Sequence, residues 1–257
     1  MPIPTRTRAL VSSITILSLL FGCPLHATSL VAVRTPSAIF IGSDSKMING
    51  DGGEAGNGCK ILGSNGVYFG TARIWRSPAQ GFSVASVAAE ALNSSGDLAS
   101  RVTHFEMLLL HPLERLLISL KITDAARFRR EIDGQSAVDM LFVGFEAGYP
   151  ALLSRSFIVR NGASQSITVR IKREECSHDC SETLAYAALG QHEAIDKVLA
   201  ENPNFWKIGF AEAIRKLITL EISAEPRFVG PPISILTIDK DGPRWIEQGE
   251  CPDVGTR

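Results

Sequence analysis

A threonine, an aspartate and a lysine stand at positions 28, 44 and 60, and together they could run an acyl-transfer reaction without metal or cofactor. If the chain is cut after Ala27, Thr28 carries a hydroxyl and a free α-amine on one residue. Such an amine titrates at about 7.7–8.0, near enough to neutrality to act as a general base with no histidine. Its Oγ would attack a carbonyl while the amine takes the proton. A Lys60 ammonium beside them would favour the ionised hydroxyl and the neutral amine, with Asp44 keeping Lys60 charged and oriented. A plainer reading has Thr28 cap a strand and makes Asp44–Lys60 a surface ion pair. Spacing alone leaves both open.

The elements that must position these groups are short strands. "TSLVAV" and "AIFIGSD" are apolar, β-branched runs joined by "RTPS", which predicts a tight hairpin. With Thr35-Pro36-Ser37 as its loop, Arg34 opposes Ala38, Val33 opposes Ile39, and Asp44 falls across from Thr28, with Cβ atoms about 5 Å apart. Glycine-rich "NGDGGEAGNG" then leads to Lys60 at the head of a further strand. "CKIL" and "VYFGTARI" flank an Asn-Gly turn and predict a second hairpin.

Beyond it, "SVASVAAEALNSS" and "HPLERLLISLKITDAARFRREI" carry apolar residues at helical spacing, with Pro112 opening the second helix. "AVDMLFVGFEAGYPALLSRSFIVRNG" reads as strand-turn-strand. "ETLAYAALGQHEAIDKVLAEN" and "FWKIGFAEAIRKLITLEISAE" read as helices, and "PISILTIDKDGPRWIEQ" closes as a hairpin. Strands, helices, strands, helices and strands in that order predict layered sheets covered by helices, in one domain over 28–257.

Residues 1–27 read as a signal peptide. Arg6 and Arg8 precede an apolar run from Ala9 to Gly22 that is too short to span a bilayer comfortably, and "CPLHA" ends on a small residue. This predicts export, to the periplasm or beyond. The alternative treats "LFGC" as a lipoprotein signal anchored through Cys23, which would leave Thr28 internal. Losing Arg6 and Arg8 leaves 24 of 26 basic residues against 27 acidic ones, a net charge of −3 that gives no footprint for nucleic acid. In the mature chain no apolar run predicts a transmembrane helix, since "EMLLLHPLERLLISL" is broken by His111, Pro112, Glu114 and Arg115. Cys59, Cys176, Cys180 and Cys251 allow three disulfide pairings, among which the sequence does not choose.

"TSLVAVRTPSAIFIGSDSK", followed by "CKILGSNGVYFGTA", resembles the start of a proteasome β-type subunit, of the N-terminal-nucleophile hydrolase superfamily. That family begins its mature chain with threonine, places an aspartate sixteen residues on within a small-Asp-Ser-basic motif, and a lysine sixteen beyond. Thr28, Asp44 and Lys60 keep these intervals, with Lys46 as the basic residue, and Gly70-Thr71 stands where the family has Gly-Thr. "MLFVGFEAGYPALLSRSFIVRNG" and "ALGQHEAIDKVL" are similar to its middle hairpin and its turn into a late helix.

The resemblance implies an α+β fold, a four-layer αββα sandwich with the threonine at one end of the sheet pair. It implies hydrolysis of peptide or amide bonds through an ester on Thr28, with Asp44 and Lys60 as partners. No cofactor or metal is implied. Ring assembly in the family makes a homo-oligomer an expectation. A small-molecule amidase or acylase of the same fold, and a non-catalytic binding or assembly subunit, are the alternatives.

This chain departs from the family in places. Ile74-Trp75 replaces a Gly-Gly pair whose first amide lines the family's oxyanion hole; the N–H survives, with a crowded approach. The supporting Asp and Ser near the last hairpin correspond to Pro226 and Val229, with Glu225 one place off. Gln191, between Gly190 and His192, replaces a supporting Ser. Ala72 stands where the family floors its specificity pocket. Elsewhere, the cysteines of "CSHDC" read as disulfide formers, with partners left open, rather than as zinc ligands, because Cys-x₃-Cys lacks a second ligand pair. "NGDGGEAGNG" lacks both the Lys-Ser/Thr of a phosphate loop and the closing Glu of a calcium loop. His104, His111, His178 and His192 are scattered.

Overall fold

The computed structural model describes residues 25–26, 28–48, 53–162, 166–177, 180 and 184–254. The expected signal peptide, its cut after Ala27 and the alternative lipidation at Cys23 lie outside these residues, except that Leu25–His26 forms a short strand, β1. Thr28 leads into β2 (Ser29–Arg34), which returns as β3 (Ala38–Ser43). A small ribbon follows, β4 (Lys46–Ile48) with β5 (Glu54–Asn57), then the hairpin β6 (Ile61–Ser64) and β7 (Val67–Ile74). A second ribbon, β8 (Arg76–Ser77) with β9 (Phe82–Ser83), precedes α1 (Val84–Leu92), α2 (Leu98–Thr123) and α3 (Ala125–Glu131). Then come β10 (Ser136–Glu146), β11 (Tyr149–Asn161), β12 (Ile167–Cys176) and β13 (Ala185–Gly190). The chain ends with α4 (Glu193–Glu201), α5 (Phe210–Ala224), β14 (Ser234–Asp239) and β15 (Gly242–Glu247).

The first hairpin forms with a register one residue away from that expected. Val33 opposes Phe40 and Arg34 opposes Ile39, so Asp44 meets Ser29 rather than Thr28. The cause is the turn. Thr35 Oγ1 donates to Ala38 O at 2.9 Å and accepts from Ala38 N at 3.0 Å, which draws a fourth residue into the loop. A slip of one residue exchanges the two faces of a strand. The Asp44 carboxylate nonetheless reaches back to the chain beside Thr28, as described below.

Two further expectations change. Pro112 does not open a helix; it lies inside α2, which starts at Leu98 with Asp97 accepting from Ser100 N at 2.7 Å. An interior proline costs about 3 kcal/mol, while Phe105, Leu109, Leu113, Leu116 and Leu117 form a continuous buried stripe across it. Each such side chain contributes about 1.5–3 kcal/mol by burial, so packing overrides the breaker. "AYAALG", expected to be helical, is β13, because β2 offers a free edge and pairs with it from Ala185↔Arg34 to Gly190↔Ser29.

The four-layer αββα sandwich is not what forms. The described residues make fifteen strands against five α-helices, every strand pair antiparallel, in sheets of six, five, two and two strands. The fold is mostly β with several sheets. The six-stranded sheet holds β1, β7, β10, β11 and β12 with β6 on β7; the five-stranded sheet runs β13-β2-β3-β14-β15. They meet at a buried cluster including Leu30, Ile41, Leu141 and Leu236, but their overlap is partial. In β12, Ile167, Val169 and Ile171 pack toward the helix-side core, while Thr168, Arg170 and Lys172 between them are exposed. Helices α1 to α3 cover part of the larger sheet, and α4 and α5 pack on β2, β3 and β14 through Val31, Ile214 and Ile218.

Candidate active site

Thr28, Asp44 and Lys60 converge at the ends of three segments. Lys60 is the last residue before β6 in the larger sheet, Asp44 the first after β3 in the smaller one, and Thr28 immediately precedes β2. All three are buried, with 1%, 0% and 3% of their surfaces exposed for Thr28, Asp44 and Lys60, so the ion pair is not the surface pair of the plainer reading.

The Asp44 carboxylate organises the site. Its Oδ1 accepts from Lys60 Nζ at 2.8 Å and from Ser29 N at 2.9 Å. Its Oδ2 accepts from the backbone N–H of Lys46 and of Gly230, each at 3.1 Å. Lys60 and the amide that follows Thr28 thus share one oxygen. Burial pushes Asp44 above the ordinary carboxyl value of 3.8, against the opposing pull of Lys60 and of the Ser29 and Gly230 amides. Burial likewise pushes Lys60 below its ordinary 10.5, against the pull of Asp44. Each group raises the other's tolerance of a site without water.

Thr28 itself is held by its backbone. Gln191 N donates to Thr28 O at 2.7 Å. Gly190 makes that approach possible: its φ is +80° and a Cβ there would stand 1.9 Å from Thr28 O. The Thr28 hydroxyl is buried and makes no hydrogen bond among the described residues. A buried hydroxyl without a partner costs about 1–3 kcal/mol, and those of Ser29, Ser43, Ser45, Thr71 and Thr237 are left in the same state among the described residues.

The segment expected to carry supporting side chains does so through its backbone instead. Besides the Gly230 N–H on Asp44, Ser45 N donates to Gly230 O at 3.1 Å and Lys46 Nζ to Pro226 O at 2.9 Å. Val229 is fully buried and Gln191 acts through its N–H. The donor role of these four amides (Ser29, Lys46, Gln191 and Gly230) was not legible, although Lys46 and Gln191 stand out by their side chains, because every residue but proline offers the same group.

Ala72 and Ile74 are fully buried, Ala72 in the inter-sheet cluster. Arg73 between them has φ +72°, a left-handed conformation costing a side-chain-bearing residue about 1–2 kcal/mol. Its Nε donates to Asp139 Oδ2 at 2.7 Å, which fixes the side chain over the turned backbone. β1 pairs antiparallel with this stretch, Leu25 with Ile74 and His26 with Arg73. The chain just before Thr28 therefore runs along the edge of β7. Cys59 pairs with Cys251 and Cys176 with Cys180. Among the described residues no group of His, Cys, Asp and Glu could hold a metal ion, and no helix is long and apolar enough to cross a membrane.

These features define a class of site: a threonine beside a buried carboxylate–ammonium couple, set where antiparallel strands end. No protein-family profile matches the chain, and no curated protein matches its sequence. Among solved structures it is similar to a Gly-1 mutant of Anbu from Hyphomicrobium sp. strain MC1, a proteasome-like protein, with 15% identity and a TM-score of 0.49 over 86% of this chain and 87% of that one. That likeness is distant, and no residue role is taken from it.

Proposed function

We propose that this chain is an exported hydrolase that cleaves peptide or amide bonds with Thr28 as nucleophile. The observation that carries the proposal is the buried Asp44 Oδ1, which binds both the Lys60 ammonium and the amide joined to Thr28, whose hydroxyl has no hydrogen bond among the described residues. Signal peptidase cuts between Ala27 and Thr28, and the new α-amine becomes the base. Oγ attacks the substrate carbonyl and its proton passes to that amine. The tetrahedral intermediate then expels the leaving amine, which takes the proton, and leaves an ester on Thr28. Water, giving a proton to the α-amine, attacks the ester; the acyl–Oγ bond then breaks, Oγ takes that proton back and the acid leaves. Lys60, held by Asp44, lowers the cost of ionising Oγ throughout. An extended peptide has a ready edge at Arg73–Ile74 of β7, where the chain's own residues 25–26 pair before the cut.

The test is made on the exported protein. The mature N-terminal peptide should begin at Thr28 by mass, and Thr28→Ala should reduce hydrolysis of peptide and acyl-amide reporters by at least about 10³-fold. Hydrolysis unchanged by the substitution, or a mature chain starting elsewhere, sinks the assignment. Preference for small acyl-amides over peptides would make the enzyme an amidase.

A further inference from the structure

We propose that the Cys59–Cys251 disulfide is a redox-sensitive clamp that holds Lys60 in place against Asp44. The two partners of that ion pair belong to different sheets. Lys60 enters β6 of the larger sheet, and Asp44 leaves β3 of the smaller one. The disulfide joins the same two bodies one residue away. Cys59 immediately precedes Lys60, and Cys251 lies 192 residues on, in a tail fastened to the smaller sheet.

That fastening is specific. Ser234 of β14 pairs with Ser43, the neighbour of Asp44, and its Oγ donates to Gln248 O at 3.0 Å. Gln248 Nε2 in turn donates to Cys251 O, and Cys251 N to Gln248 O, at 2.9 and 3.0 Å. Gly249 lies so close that a Cβ would stand 2.4 Å from Ser234 Oγ. On the other side, Glu54–Asn57 are all exposed, so the approach to Lys60 buries no side chain of β5. Upstream of Lys60 the chain is tied by Gly58 N donating to Ser45 O at 2.8 Å, by the pairing of Asn57 with Lys46, and, nearest to the ammonium, by the covalent bond at Cys59.

Opening it is ordinary thiol chemistry. The thiolate of a dithiol attacks Sγ of Cys59, the less buried of the two residues, and the S–S bond breaks to release Cys251, which is buried and 3.5 Å from Ser234 Oγ. The second thiol of the reductant then attacks the mixed disulfide and frees Cys59. Two electrons pass from the dithiol, which becomes a disulfide, and both cysteines end as thiols.

The catalytic consequence rests on the hydrolase proposed above; the clamp itself does not, and two readouts keep them apart. The full chain is compared oxidised, treated with dithiothreitol, and as Cys59→Ser/Cys251→Ser, with Cys176→Ser/Cys180→Ser as control. The first readout is acetylation of Lys60 by acetic anhydride, followed by peptide mass and referred to exposed Lys240. Opening the clamp should speed it by at least about tenfold in a chain whose circular dichroism stays native, and the control should not. The second is reporter hydrolysis, whose kcat should fall by about 10²-fold with little change in KM. If no form hydrolyses the reporters, the hydrolase reading fails and Lys60 reactivity still decides the clamp. Unchanged Lys60 reactivity in a folded, opened chain overturns the proposal. So does global unfolding of both the reduced and the serine forms, since the bond would then support the whole fold rather than one residue.

Discussion

Removing one charge from the Asp44–Lys60 couple should cost far more than half of what removing both costs. At 2.8 Å the pair attracts by about 6 kcal/mol at an effective dielectric of about 20. Several kcal/mol of lost hydration per ion oppose this, so the intact pair is close to neutral for stability. Asp44→Asn takes the carboxylate from an ammonium 3% exposed, and should cost about 3–5 kcal/mol. Lys60→Met leaves a carboxylate that still accepts from Ser29, Lys46 and Gly230, so its cost falls at the lower end, about 3 kcal/mol. The double variant removes both desolvation penalties, so it should cost little by itself and show a coupling close to the whole sum of the singles, about 6–8 kcal/mol. Urea unfolding at neutral pH with disulfides intact measures all four proteins. Additivity within about 0.5 kcal/mol would falsify the claim that the two charges exist for one another. Reporter hydrolysis should behave differently: each single and the double fall to the same floor, because the groups act as a unit.

Gly190→Ala should destabilise the chain by about 3 kcal/mol, combining a left-handed alanine with the loss of the Gln191–Thr28 bond; a wild-type urea midpoint together with wild-type hydrolysis would refute the close approach at Thr28 O. The Lys60 shift also predicts a pH slope. Its folded value lies below 10.5, so between the two values the unfolded chain binds the extra proton and stability rises with pH. Below the folded value both states are protonated and the slope vanishes. Urea midpoints taken from neutral to alkaline pH should show this rise, Lys60→Met should lack it, and equal slopes in the two would sink the assignment.

The site was more legible in the sequence than the fold. The residue types at 28, 44 and 60, and the strands that carry them, could be read because a β-branched run and a turn fix which residues approach. The register could not, since a threonine side chain within the turn drew one more residue into the loop. β13 was misread because alanine and leucine are good helix formers, and only the free edge of β2 made them a strand. Pro112 was misplaced by the same kind of local reasoning, which sees the breaker but not the buried stripe that crosses it. The sandwich failed for a different reason. Runs of strand and helix predict layers, but nothing in a run says how far two sheets overlap, and here Thr168, Arg170 and Lys172 of β12 stay exposed. The backbone donors around Asp44 and Thr28 leave no mark in residue type at all.

Asp44 serves fold and chemistry together, which makes its loss a poor probe of either; the threonine hydroxyl separates them. Every donor on Asp44 comes from a different segment, so replacing the carboxylate loosens four junctions before it touches catalysis. Thr28 Oγ1 has the opposite character, since among the described residues it bonds to nothing and it is buried. Thr28→Val keeps the branched shape and the buried methyl while removing the unbonded hydroxyl. It should therefore raise stability, by about 1–2 kcal/mol, with the loss of all reporter hydrolysis. A thermal melt and an activity assay on the same preparation suffice. If valine instead lowers the melting temperature, the hydroxyl has a structural partner in solution, Thr28 belongs to the scaffold, and the reason for placing a nucleophile there disappears.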